Sequence, residues 1–172
     1  MKHFQNNPLI SIALLLSNNP KAGALARAHN FHVPTKTFDK IQFHENDEVI
    51  KWLKEASVTH LVLAGFLWLV PQNVLLGYPA KIINIHPALL PKFGGKGMYG
   101  DKVHEAVLTA GEKKTGITIH EVDEHFDEGK ILFQSSCSVD ANDTAEMIAQ
   151  KVHVLEHAHY PRVIEEWILS DG

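Results

Sequence analysis

The sequence predicts an α/β fold whose strands run mostly parallel and are joined by crossover helices. Three observations carry that expectation. Short apolar runs alternate with longer segments of helical period along the chain. At 172 residues the chain is long enough for one core that buries well over half of the surface its unfolded form exposes, and no linker or internal repeat divides it, so a single domain over residues 1–172 is expected. Hydrophobic residues make up 45 % and charged residues 21 %, the proportions of a globular protein without a disordered tail.

Taken in order, "LISIALLL" (Leu9–Leu16) predicts a buried strand, and "SNNPKAGALARAHNF" an Asn-Pro start followed by a helix to about Asn30. "NDEVIKWLKEAS" is a second helix, capped by Asn46 or Asp47 and carrying Val49, Ile50 and Leu53 on one face; it leads into the strand "HLVLAG". A short helix follows Pro71, then the strand "KIINIH". "DKVHEAVLTAG" predicts a helix from about Asp101 to Ala110, closed by Gly111. "TGITIHEVDE" and "KILFQSSCSV" form a hairpin-like pair around "HFDEGK". A capping pattern, Asp143 with Glu146, then opens a long helix expected to break near Pro161.

The net charge of −4 comes without a clustered Lys/Arg footprint, which argues against nucleic acid and for small-molecule partners. The lone Cys137 cannot form an internal disulfide and fits a small buried hydrophobe in a reducing compartment. The longest apolar run, Leu61–Val70, is about half the ~20 residues of a membrane helix, and no signal-peptide pattern opens the chain. These features predict a cytoplasmic protein that engages no membrane.

In an open α/β sheet ligands gather at the carboxyl ends of strands. Two stretches fall there. In "INIHPALLP" the period-two spacing puts Asn84 and His86 on one side of the strand as it leaves the sheet. In "HEVDEHFDEGK" the acidic residues Asp123, Glu124, Asp127 and Glu128 crowd one loop, where such residues are more often simply solvated. Each stretch alone is ambiguous; their combination is more telling.

"AGFLWLVP", "INIHPALLPKFGG", "GITIHEVDEHFDEGKILFQ" and "EHAHYP" occur in the order and approximate spacing of the phosphoribosylglycinamide formyltransferases of purine biosynthesis, which the sequence resembles over nearly its whole length. The wider folate-dependent formyltransferase group shares parts of this pattern. The resemblance implies a Rossmann-like fold, a mostly parallel twisted sheet flanked by helices, and transfer of a formyl group from 10-formyltetrahydrofolate to the amine of glycinamide ribonucleotide without a metal. It places the catalytic trio on Asn84, His86 and Asp127. It places folate recognition on Leu67, Trp68, Leu69 and Val70, together with Asp123, Glu124, His125 and Phe126, and puts Thr118, His120 and Glu156 against the substrate. A carboxylate at Asp127 is expected to raise the pKa of His86 and keep it charged, while the Asn84 amide supplies a neutral oxyanion donor.

Three departures qualify the resemblance. Trp68 stands where the family often has a basic residue, "GGKGMYG" (Gly94–Gly100) replaces a different loop, and the chain opens at a point that aligns with the end of the family's first helix. The strand and Gly-rich phosphate-binding turn of the family are therefore expected to be missing, as in an N-terminally truncated chain. Two other functional readings remain at this stage: another folate-dependent transferase or a 10-formyltetrahydrofolate hydrolase, and an inactive folate-binding fragment. A rival metal reading rests on "HVLEH" (His153–His157), an inverted zinc-protease pattern that would need a third ligand further along.

Overall fold

The computed structural model describes residues 1–79 and 81–170; residues 80, 171 and 172 of the predicted domain lie outside the described residues. The chain forms two compact units, one of residues 1–59 and 71–77, the other of residues 60–70 and 78–172. Its α/β character is as expected.

In the first unit a 3-10 turn at Lys2–Phe4 precedes β1 (Leu15–Ser17), α1 (Gly23–Asn30), β2 (Thr35–Thr37), α2 (Lys40–His44), α3 (Glu48–Glu55) and, after the excursion into the second unit, α4 (Gln72–Gly77). β1 and β2 pair in parallel, Leu16 opposite Lys36. The strand predicted over Leu9–Leu16 is confined to its last residues. The Asn7 side chain accepts from the backbone N–H groups of Leu9 and Ile10, curling the segment into a turn, and Leu9 is left 74 % exposed. α2 rests on a full capping box, Asp39 accepting from Gln42 N–H while Gln42 reaches back to Asp39 N–H. α3 buries Val49, Ile50 and Leu53, the predicted face, and Asn46 accepts from Glu48 N–H at its start.

The second unit holds β3 (Leu61–Leu63), β4 (Ile82–His86), α5 (Asp101–Thr109), β5 (Lys114–Glu121), β6 (Ile131–Ser138) and α6 (Ala145–Ser170). Its sheet runs β3-β4-β5-β6. β3 and β4 are parallel, whereas β4–β5 and β5–β6 are antiparallel, so this sheet is mixed. Burial follows the pattern of the strands: Ile82, Ile83, Ile117 and Ile119 are almost wholly enclosed, and Ile148 and Val152 of α6 join them.

Pro161 does not break α6, which runs through it for 26 residues. An interior proline costs about 3 kcal/mol in lost hydrogen bonding and clash. Val152 before it and Tyr160, Val163 and Ile164 around and after it are all buried, and that burial holds both halves in one helix. Tyr160 also donates its hydroxyl to the Leu63 carbonyl at 2.7 Å, tying α6 to the end of β3. The helix is opened by Thr144, whose hydroxyl accepts from Met147 N–H; the predicted cap Asp143 instead accepts from Asp140 N–H and pairs with Lys151 at 2.6 Å. Cys137 is half-buried, and burial raises its thiol pKa. No helix among the described residues is long and apolar enough to cross a membrane.

Gly116 sets the closeness of the β5–β6 hairpin. A Cβ there would run into the Ser135 carbonyl oxygen and lie 2.8 Å from the Ser136 Cα, both backbone atoms that cannot swing aside. Gly116→Ala should therefore lower stability by at least about 1–3 kcal/mol, the usual cost of overpacking. A urea midpoint unchanged from the parent would show that the two strands separate freely at this point.

Candidate active site

The antiparallel register between β4 and β5 builds the centre of the site. Asn84 lies opposite His120 and His86 opposite Thr118, so two alternating positions on each strand bring four polar side chains onto one face. Asp127 arrives from the loop between β5 and β6 with a left-handed backbone, φ 60°, a conformation Asp tolerates better than most side chains. One of its carboxylate oxygens lies 3.5 Å from His86 Nδ1 and the other 3.5 Å from His120 Nε2. The sequence-assigned trio is thus brought together, and His120 joins it.

The hydrogen bonds fix the imidazole tautomers. His120 Nδ1–H donates to the Glu121 carbonyl at 2.8 Å, which leaves Nε2 to accept from the Asn84 amide at 3.2 Å. His120 therefore orients Asn84, and the amide keeps a second N–H to offer. His86 Nε2–H donates to the Phe93 carbonyl at 2.8 Å, so its Nδ1 faces the carboxylate. Phe93 presents that carbonyl from a left-handed backbone, φ 57°. Asp127 also accepts from Gly95 N–H at 2.9 Å. Gly94 passes close above it: a Cβ there would lie 2.5 Å from Leu90 Cδ2 and 3.3 Å from Asp127 Cβ.

Electrostatics correct one expectation. His86 is 3 % exposed, and burial moves its pKa below the ordinary value of 6.5; the Asp127 carboxylate and the Phe93 carbonyl pull it back up, but burial wins. The net direction is downward, so the Asp127 carboxylate offsets part of the cost of charging the buried ring and does not reverse it. Burial works in the opposite sense on Asp127, yet the neighbouring His120 and His86 rings and the Gly95 amide outweigh it and hold the carboxyl below its ordinary range.

Thr118 lies next to this cluster, opposite His86. It is fully buried, and its hydroxyl donates to the Ala88 carbonyl at 2.7 Å while accepting from Leu90 N–H and the Gln134 amide. With every hydrogen-bonding position of the hydroxyl used, it holds the segment after His86 in place. Neither Gln134, which also donates to the Leu90 carbonyl, nor Phe93 was singled out from sequence. Gln134 lies directly opposite Thr118 on β6, a pairing that shows only once the hairpin register is known.

The segments assigned to folate are irregular backbone. Leu67 and Leu69 are exposed, Val70 is buried, and Trp68 stacks edge-on against Phe66 at 6.1 Å. Asp123 accepts from His125 N–H, closing a tight turn next to Glu124 and ahead of Phe126. A cavity of 360 Å³ opens beside Asp127, walled among others by Leu90, Gly94, Phe126 and Ile131; its volume lies within the range of small-molecule sites. Glu156 is on α6, bonded to His153 Nδ1 at 2.7 Å. Among the described residues no group of three or more His, Cys, Asp or Glu is placed to hold a metal ion.

Comparison with known proteins gives this arrangement its context. The family model described as formyl transferase matches residues 1–164. A phosphoribosylglycinamide formyltransferase of Bacillus subtilis is 40 % identical over 160 residues, covering 91 % of this chain and 80 % of its own. The chloroplastic phosphoribosylglycinamide formyltransferase of Arabidopsis thaliana is 42 % identical over 158 residues, covering 89 % of this chain; this chain spans only about half the length of that relative, 54 %. Among solved structures, the phosphoribosylglycinamide formyltransferase of Anaplasma phagocytophilum superposes with a TM-score of 0.85 at 32 % identity, over 95 % of this chain and 76 % of that one. That of Bacillus halodurans superposes with a TM-score of 0.82 at 34 % identity, over 92 % and 81 %. A match over almost the whole sequence and a shared Rossmann-like formyltransferase architecture together establish that the chain belongs to the formyl transferase family, among the phosphoribosylglycinamide formyltransferases.

Proposed function

We propose that the chain transfers a formyl group from 10-formyltetrahydrofolate to the amine of glycinamide ribonucleotide in de novo purine biosynthesis. The observation that carries this reading is the cluster of Asn84, His86, His120 and Asp127, its two imidazoles buried and its amide and carboxylate partly so, which supplies what formyl transfer between two nitrogens demands. Attack on the formyl carbon creates an oxyanion. Asn84, its amide oriented by His120, offers a neutral N–H, and His86 Nε2–H is a second donor that reaches such an oxygen by letting go of the Phe93 carbonyl. Negative charge developing there favours protonation of His86, and Asp127 across the ring steadies the imidazolium that forms.

The formyl donor is assigned to the irregular backbone at Leu67, Trp68, Leu69 and Val70 and to the turn at Asp123–Phe126, whose main-chain groups suit the amide-like edge of a pterin. Glu156 is assigned to the ribose or amine end of glycinamide ribonucleotide. The uninterrupted family match supports reading the chain as one formyltransferase domain, and with both substrates small and soluble we place it in the cytoplasm, without metal or nucleic acid.

The test is direct. The purified chain is incubated with both substrates, and formylated glycinamide ribonucleotide is followed by mass spectrometry. Product formation that requires both is expected. Deformylation of the folate in the absence of the amine would identify a hydrolase instead, and no consumption of either substrate by a chain with native circular dichroism would overturn the reading.

A further inference from the structure

The sheet of the second unit ends at β6, and that edge is unguarded. Val139 N–H donates to the Lys113 carbonyl, which sets the alternation along the strand. The backbone groups of Phe133, Ser135 and Cys137 pair with β5, and those of Gln134, Ser136 and Ser138 point away from it. Among the described residues the outward N–H and C=O groups of Gln134 and Ser136 have no partner, whereas the Ser138 carbonyl accepts from Lys151 Nζ at 3.3 Å. Edge strands are ordinarily blunted by lysine, proline, shortness or a bulge. β6 has 8 residues, ILFQSSCS, with neither charge nor proline, and its register shift falls at its start, so Phe133–Ser138 run regularly.

The ends and the flank of this edge indicate what covers it. Lys130 precedes the strand and Asp140 follows it, both with exposed side chains. A strand with the same two ends, laid antiparallel against β6, brings lysine towards aspartate at both ends; laid parallel, it brings like charges together. On the flank, Lys151 and Arg162 of α6 reach β6, the first at the Ser138 carbonyl and the second over the Phe133 ring. Met147, Lys151, Val154, Ala158 and Arg162 follow one another in steps of three and four, which makes them one stripe on the helix surface. Met147 and Val154 on that stripe are exposed, Val154 by 67 %. An open strand edge and an exposed apolar stripe thus lie side by side, and a two-fold extension of the sheet covers both at once.

We infer that β6 is a dimerisation edge: it pairs antiparallel with β6 of a second copy of this chain and brings the two α6 stripes together about a two-fold axis. A two-fold contact has to be complementary to itself. β6 meets that condition, because its uncharged middle opposes no like charge and Lys130 and Asp140 draw towards each other across the axis. The outward backbone groups of Gln134 and Ser136 gain the partners they lack, and Met147 and Val154 leave water. None of Asn84, His86, His120 and Asp127 lies on this edge, so the pairing stands apart from the formyl-transfer reading.

The test is sedimentation equilibrium of the full chain over a wide range of concentration, with circular dichroism to establish that each variant is folded. The parent should approach twice the mass of one chain. Ser136→Pro deletes an outward-facing N–H, spares the bonds to β5 and is tolerated on an edge strand, so it should stay monomeric over the same range. Lys130→Glu leaves acid at both ends of the edge, and Asp140→Lys leaves base at both. Each should raise the dissociation constant for self-association by at least about threefold, and an equimolar mixture of the two should associate as tightly as the parent, because unlike ends then meet. Where Ser136→Pro fails to fold, the charge variants and their mixture decide. A parent that stays monomeric at every concentration would overturn the pairing and leave the edge bare or open to a strand of another protein. A dimer that survives in folded Ser136→Pro, or a mixture no tighter than either charge variant alone, would equally overturn it by showing that the copies meet elsewhere.

Discussion

His86→Ala should lower kcat for formyl transfer by about a hundredfold to ten-thousandfold, the range over which a positioned acid or base contributes, while folate affinity falls far less. His86 meets the carbonyl of Phe93 through Nε2–H and the carboxylate of Asp127 across Nδ1, and neither contact serves to hold a pterin. Equilibrium titration with a non-reacting folate analogue separates the two effects. Turnover within a few-fold of the parent would remove His86 from the chemistry.

Asp127→Asn should have an effect of the same order, with a signature in pH. The Asp127 charge raises the pKa of His86 against the larger, opposing influence of burial. Without that charge the pKa falls further, so the fraction of His86 able to become charged shrinks, and the alkaline fall in turnover should move to lower pH. Asparagine keeps the shape and can still accept from Gly95 N–H, which limits the structural disturbance. An alkaline limb in the same place in both proteins would exclude the coupling. Stability carries a matching sign: the folded-state pKa of Asp127 lies below the ordinary carboxyl value, so its contribution is present above the unfolded carboxyl pKa and is lost as pH falls through the depressed one, and the variant should lack that acid-side loss.

The sequence was most informative where periodicity and local chemistry agreed. β4, α3, α5 and the β5–β6 hairpin each combine a clear apolar period with a turn or cap, and each formed close to the expected residues. The period-two spacing of Asn84 and His86 correctly placed both at the end of β4. β2 went unseen because Thr35, Lys36 and Thr37 are all exposed and carry no hydrophobic signal. β1 was overextended because an unbroken apolar run looks alike as strand and as turn. The bonds of the Thr118 hydroxyl were not legible, because strand composition does not reveal which hydroxyls are saturated across a sheet. The direction of the His86 pKa turned on depth of burial, a tertiary quantity that no local window contains.

The left-handed backbone at Phe93 has a consequence for engineering. A bulky side chain in that region costs of order 1–3 kcal/mol, so a search for thermostable variants would favour glycine or asparagine there. The same backbone aims the carbonyl that positions the His86 ring at rest, ready to turn its Nε2–H to the reaction. Position 93 is thus a place where robustness and turnover are set against each other, and a consensus or stability-guided redesign should leave it alone.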